Sequence, residues 1–257
     1  MITKDSLRNI NFRVTDVIII GVLNFALMLV MALIGGLILF QGLRHFPQTT
    51  EEVWKFIEEM PPSSLAVITF LLISYYSITL LVIPIFWIKF VRHCRLSDIG
   101  LKRQSWISNL ITGIIAGVIF YIGWGFLGSL LKVILVRAGI GNLSSVLPFS
   151  FWLNFTLTIL VAPIGESILY IGIVFIAFAK KVGLKFAMLI TAVIFMLMHI
   201  DAAMASGVPW LIFMGFFLNM VVQIWLYCRN ESLLTPIGFH LVNNTLCFLF
   251  TLFRHLR

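Results

Sequence analysis

The chain has 257 residues, of which 61% are hydrophobic and 11% are charged, and its mean hydropathy is +1.08. A water-soluble domain carries about 25% charged residues, so these values exclude a soluble globular fold and also exclude intrinsic disorder. The 18 basic and 10 acidic residues give a net charge of +8. Because the basic residues lie in short runs beside apolar segments, they indicate membrane topology and not nucleic-acid binding. The composition predicts an integral membrane protein.

The apolar segments predict an all-α, polytopic transmembrane bundle of about seven or eight helices. In chain order, spans are expected at residues 17–40, 65–90, 106–131, 149–179, 184–200, 208–228 and 233–253. Seven spans place Arg254 and Arg257 on the side opposite the N-terminus, so an eighth membrane element or a half-span remains an alternative. No soluble domain or internal repeat is visible, and residues 1–257 are interpreted as one membrane domain.

The distribution of charge between the spans predicts the topology. Lys4, Arg8 and Arg13 precede the first span, which places the N-terminus in the cytoplasm. The basic loop 89–103 then falls on the same side. The segment 43–64 contains four glutamates and a Pro-Pro pair, and is expected to be extracytoplasmic with a short amphipathic helix. We expect a multi-pass protein of a bacterial plasma membrane.

Three ionisable side chains, Glu166, His199 and His240, lie inside predicted spans. Such a group costs about 2.5–3.5 kcal/mol at the bilayer centre on insertion scales, so it usually faces a cavity and has a function. At about 1.5 Å of rise per residue, Glu166, His199 and Asn244 each lie roughly 20 Å from the cytoplasmic boundary. His240 lies one turn from Asn244 on the same helix face. The four residues are therefore predicted to converge from three helices.

The residue types leave the chemistry of this cluster open. A buried histidine or asparagine in a membrane helix often forms interhelical hydrogen bonds without any catalytic role. A lone glutamate can also serve as a proton or ion site in a transporter. Two histidines and one glutamate could form a zinc site, although the HExxH spacing is absent.

The same residues stand in three motifs that resemble those of the CPBP family, which contains the CAAX prenyl endopeptidases and the bacteriocin-processing and immunity proteins called Abi. The family pattern is EExxxR followed by glycine, then FxxxH, then HxxxN. Here the motifs begin at Glu166, Phe195 and His240. Order and spacing agree over about residues 90–250, including the loop 96–103, which is similar to the family's cytoplasmic linker.

The last two motifs are intact, but the first one is altered. Ser167 stands where the family has its second glutamate, and Ile171 stands where it has arginine, whereas Gly172 is kept. The altered motif raises the question of whether the protein is catalytically active.

The resemblance implies intramembrane endoproteolysis. In this picture Glu166 and His199 orient and deprotonate a water, while His240 and Asn244 donate hydrogen bonds to the developing oxyanion. The implied mechanism uses no bound metal or other cofactor, with zinc as the alternative. The residues suit this chemistry, because burial makes a carboxylate a stronger base and preorganised donors stabilise an oxyanion. The implied partners are the lipid bilayer and a peptide or protein substrate within or at the membrane.

Three hypotheses of function follow. The first is an intramembrane endopeptidase that processes a membrane-associated peptide or confers bacteriocin self-immunity. The second is a degenerate pseudoprotease that binds and regulates a membrane partner such as a sensor kinase, which the altered first motif favours. The third is a carrier or proton channel that uses Glu166, which the absence of an internal repeat disfavours.

Overall fold

The computed structural model describes residues 2, 7, 10–40, 62–137, 155–204 and 208–255. Over these residues the chain is helical and forms no strand, which confirms the predicted all-α class. With contiguous α- and π-helical segments taken together, the helices are α1 (Val14–Phe40), α2 (62–91), α3 (Trp106–Arg137), α4 (155–182), α5 (Leu184–Leu197), α6 (Ile200–Met204), α7 (Pro209–Asn230) and α8 (Leu234–His255).

Seven of these helices correspond to the seven predicted spans. Five of them, α1, α2, α3, α4 and α7, are long and apolar enough to cross a membrane, and α5 and α8 contain shorter apolar helices. The helix α6 has only five residues and is not a span. The protein is a helical membrane bundle. The acidic segment 43–61 and the loop 138–154 lie outside the described residues, as do Lys4, Arg8 and Arg257.

One of the predicted boundaries that differ from the structure affects the candidate site. The fifth span was expected to run through residue 200, but α5 ends at Leu197 and His199 lies in the turn that follows. The backbone N–H of His199 donates to the carbonyl of Met196, three residues back, so the helix tightens and stops there. Hydropathy does not detect this end, because apolar residues such as Met198, Ile200 and Met204 continue beyond it.

The helix α4 is the centre of the bundle and changes its winding three times, the last time where its final α-helical segment begins at Ile176. A short α-helical segment, Ala162–Glu166, lies between two π-helical segments, Phe155–Val161 and Ser167–Phe175. All nine residues of the second π-helical segment are buried. Wide π-helical turns are uncommon and frequently occur at functional sites.

The helices α3 and α8 pack with their backbones close together. A Cβ atom added to Gly113 would lie 2.0 Å from the carbonyl oxygen of Thr235, and one added to Gly117 would lie 2.7 Å from that of Phe239. Small residues four apart allow this approach between membrane helices. The Asn243 side-chain amide also donates to the Gly117 carbonyl at 3.3 Å. These contacts hold α8, which contains His240 and Asn244.

We expect Gly113→Ala to destabilise the bundle by about 3 kcal/mol or more, because the added methyl group meets a backbone carbonyl that no side-chain rotation can move. Thermal unfolding of the detergent-solubilised protein measures this loss. The matched control is Gly125→Ala on the same helix, where an added Cβ has no neighbour within 4 Å. Equal stability of the two variants would contradict the close packing.

The loop between α2 and α3 packs against the end of the bundle. Ile99 is fully buried, and its Cδ1 would lie 3.2 Å from a Cβ atom added to Gly172. Gly100 has a positive φ of 93° and accepts a hydrogen bond at 3.0 Å from the N–H of Leu233. The loop that resembles the family linker therefore contacts both the glycine retained in the first motif and the start of α8.

The N-terminal segment makes two polar contacts with the same end of the bundle. The Asp16 carboxylate is buried and pairs with the Arg92 guanidinium at the end of α2. Lys180 at the end of α4 donates to the carbonyl of Ile10. These contacts join α1 to the end of α2, and the segment before α1 to the end of α4.

Candidate active site

Glu166 is the last residue of the α-helical segment in α4. Its side chain is 12% exposed, and its Oε2 atom has no hydrogen-bond partner in the described part of the chain. Directly before it, a Cβ atom on Gly165 would lie 2.5 Å from the Leu80 side chain of α2. Close packing of α4 on α2 therefore fixes the backbone that presents the carboxylate.

Two imidazole rings face this carboxylate from different parts of the fold. The Nε2 atom of His199, in the turn after α5, lies 3.9 Å from Oε1 of Glu166. The Nε2 atom of His240, on α8, lies 3.8 Å from Oε2. The predicted convergence is thus present for these three side chains. Both separations are too long for a direct hydrogen bond.

The hydrogen-bond network indicates which tautomer each ring takes in its neutral form. Nδ1 of His199 lies 2.8 Å from the Phe195 carbonyl oxygen, which can only accept, so Nδ1 carries the hydrogen and Nε2 presents a lone pair to Glu166. Nδ1 of His240 is buried, with no partner among the described residues. Since orphaned buried N–H groups are the rarer case, the hydrogen belongs on Nε2. His199 then presents an acceptor to the site, and His240 presents a donor.

The phenylalanine of the FxxxH motif is the centre of an aromatic cluster. The ring of Phe195 lies 4.4 Å from His199, 6.3 Å from His240 and 5.2 Å from Tyr170, measured between ring centroids. Phe216 of α7 joins this cluster by stacking on His199. Sequence reasoning missed Phe216, because it belongs to no motif and only the packing of α7 brings it to the site.

Asn244 contacts α4, eight residues before Glu166. Its Nδ2 atom donates to the Thr158 carbonyl at 2.8 Å. In a π-helical turn this carbonyl would accept from residue 163, but Pro163 has no N–H, so Asn244 supplies the missing donor. This bond uses one of the two N–H groups of the amide. Asn244 therefore links α8 to the part of α4 where Pro163 interrupts the backbone hydrogen bonds, just before Glu166.

The two altered motif positions are both fully buried. The Ser167 hydroxyl donates to the Pro163 carbonyl at 2.6 Å, and Ile171 lies in the apolar core. Neither residue leaves an unpaired polar group. The serine and the isoleucine thus form a neutral, satisfied replacement for the acidic and basic pair of the family pattern.

A metal centre was the alternative reading of the Glu166, His199 and His240 cluster. In the described ranges of the chain, no three His, Cys, Asp or Glu side chains are arranged to hold a metal ion.

The protein is thus a helical membrane bundle that encloses the Glu166 carboxylate between two histidine rings. Residues 148–246 match the family model of the type II CAAX prenyl endopeptidase Rce1-like proteins. This region is less than half of the chain, but it contains Glu166, His199, His240 and Asn244. The resemblance to the CPBP family of intramembrane proteases is confirmed over this region. The chain matches no curated protein and no solved structure.

Proposed function

We propose that this protein is an intramembrane endopeptidase that hydrolyses a peptide bond with a water activated by Glu166 and His199. One observation supports this proposal above all: the Glu166 carboxylate lies between two imidazole Nε2 atoms, at 3.9 and 3.8 Å. The Rce1-like match supports protease chemistry in general.

The assigned tautomer of His199 suits water activation. A water between Glu166 and His199 donates one O–H to the carboxylate and the other to the Nε2 lone pair, which directs an oxygen lone pair toward the scissile carbonyl. As the new C–O bond forms, the proton passes to Glu166 and then to the leaving amine when the C–N bond breaks. No metal or other cofactor takes part in this scheme.

The oxyanion would be held by two donors from α8. These are the Nε2–H of His240 and the second N–H of Asn244, the one that does not bond to Thr158. Both donors are preorganised by their helix, which is the arrangement that stabilises developing negative charge.

The proposed substrate is a membrane-associated peptide. His199, in the turn after α5, is 23% exposed, and its neighbours Met198 and Ile200 are exposed apolar residues. An apolar peptide segment suits this surface better than a polar one. We place the protein in a bacterial plasma membrane with its N-terminus in the cytoplasm, where it processes a peptide precursor or confers bacteriocin self-immunity.

Peptidomics of membranes from cells that express the wild type or Glu166→Gln tests the proposal. Fragments that occur only with the wild type, together with intact precursors that accumulate with the variant, are the expected result. The same fragments in both samples would overturn the proposal.

Variants of the two oxyanion donors should lose turnover. We expect His240→Ala and Asn244→Ala each to lower kcat by about a hundredfold with little change in KM, because the donors act mainly in the transition state. Kinetics in proteoliposomes with a panel of quenched fluorescent peptides, with and without a C-terminal farnesylcysteine, measure this effect. The matched control is Asn243→Ala, whose amide bonds to Gly117 on α3 and should affect stability without changing kcat. A higher KM at unchanged kcat would assign His240 and Asn244 to substrate binding.

The second candidate is a pseudoprotease that regulates a membrane partner. The observation that favours it is the replacement of the family's acidic and basic pair by Ser167 and Ile171. A biological output that survives in Glu166→Gln cells, with no peptide bond cut by the wild type, would support this candidate over the endopeptidase.

A further inference from the structure

The ring of His199 is placed by a residue that lies outside all three motifs. The Phe216 ring on α7 lies 4.2 Å from the His199 ring, and the planes differ by 28°, so the two rings stack. Phe195 in turn contacts Phe216 edge-on, with 6.2 Å between centroids and 71° between planes. Phe216 therefore packs against Phe195 and also covers one face of the His199 ring.

His199 needs such a support because it does not lie in a helix. It follows the last residue of α5 by two positions, so the regular helix does not determine where its ring points. The bond between Nδ1 and the Phe195 carbonyl holds one edge of the ring. A hydrogen bond tolerates a broad range of angles, so contacts on the faces of the ring contribute to fixing its plane. Stacking on a fixed ring restricts that plane.

We propose that Phe216 is a positioning residue that holds the His199 ring in the plane where Nε2 faces Glu166. This inference rests on the proposed function for its effect on rate, but the placement of the ring can be tested without any substrate. This positioning role requires a flat aromatic ring at position 216, and an aliphatic side chain of similar size does not provide one.

The experiment compares Phe216→Leu, Phe216→Tyr and the wild type as full-length protein. Nuclear magnetic resonance of histidine-labelled protein in detergent micelles follows the His199 ring, which His199→Gln assigns. A stacked ring shifts the His199 resonance upfield, and we expect Phe216→Leu to remove the shift and Phe216→Tyr to retain it. The control is Phe213→Leu, one turn away, whose ring contacts Trp210 and which should leave the His199 resonance in place.

Kinetics with the same panel of quenched peptides gives the second readout. We expect Phe216→Leu to lower kcat by about fivefold, the rate equivalent of one lost aromatic pair, with KM unchanged. Phe216→Tyr should retain the wild-type kcat, because it keeps the aromatic face. Full activity of Phe216→Leu, or an unchanged His199 resonance in that variant, would overturn the inference. If the wild type cuts no peptide in the panel, that result counts against the proposed function, and the resonance of His199 alone decides the inference.

Discussion

Glu166→Gln is expected to lower peptide cleavage by about a thousandfold or more, the range that loss of a general base reaches. Glutamine has the same size as glutamate but cannot accept a proton from water. Because the side chain is nearly buried and its Oε2 atom has no hydrogen-bond partner among the described residues, expression and membrane insertion should remain at the wild-type level. Cleavage of the quenched peptides in proteoliposomes measures the effect.

The controls separate catalysis from folding. His199→Ala should lose activity in the same way, whereas Asp98→Asn should remain active, since Asp98 is an exposed loop residue whose carboxylate accepts from the backbone of Arg95. A zinc chelator should not inhibit the wild type, and zinc-reversible inhibition would instead favour a metal site. Normal cleavage by both Glu166→Gln and His199→Ala would exclude the protease mechanism.

Ile171→Arg alone is expected to destabilise the protein by about 3–5 kcal/mol, the cost of an unpaired buried charge. Ile171 is fully buried in the apolar core, and its neighbour one turn back, Ser167, provides no negative charge. The new cation would also lie close to Glu166 on the same helix and would weaken the carboxylate as a base. Expression level, thermal unfolding and cleavage rate measure the loss. Val182→Arg, at the exposed end of α4, is the control for an added charge.

Adding the partner charge should reverse most of this loss. Ser167→Glu combined with Ile171→Arg places an acidic and a basic group four residues apart on one face of α4, where they can pair. A double-mutant cycle on stability and cleavage measures the coupling between the two positions. If Ile171→Arg alone raises activity, or if activity first arises in the double variant, the natural protein is a pseudoenzyme and the proposed function is wrong.

The membrane bundle and most span boundaries follow from the sequence. A bilayer offers no hydrogen bonds to an exposed backbone, so each long apolar segment must form a helix, and its length limits where it can end. The spans predicted at residues 106–131 and 208–228 correspond to apolar helices at Trp106–Leu131 and Pro209–Asn230. The meeting of Glu166 with His199 and His240 could also be predicted, because an ionisable group is costly at that depth unless it shares a polar site.

Only the tertiary structure decided how these groups are oriented. The turn that holds His199, the bond from Asn244 to Thr158 and the stack of Phe216 on His199 all join residues of different helices or follow an irregular helix end. Hydropathy and helical spacing report depth and face along one helix. They contain no information about how neighbouring helices rotate against each other, and that rotation depends on close packing such as Gly113 against Thr235. The sequence by itself therefore determined which residues share a layer of the membrane, and the packing between helices determined which atoms face one another.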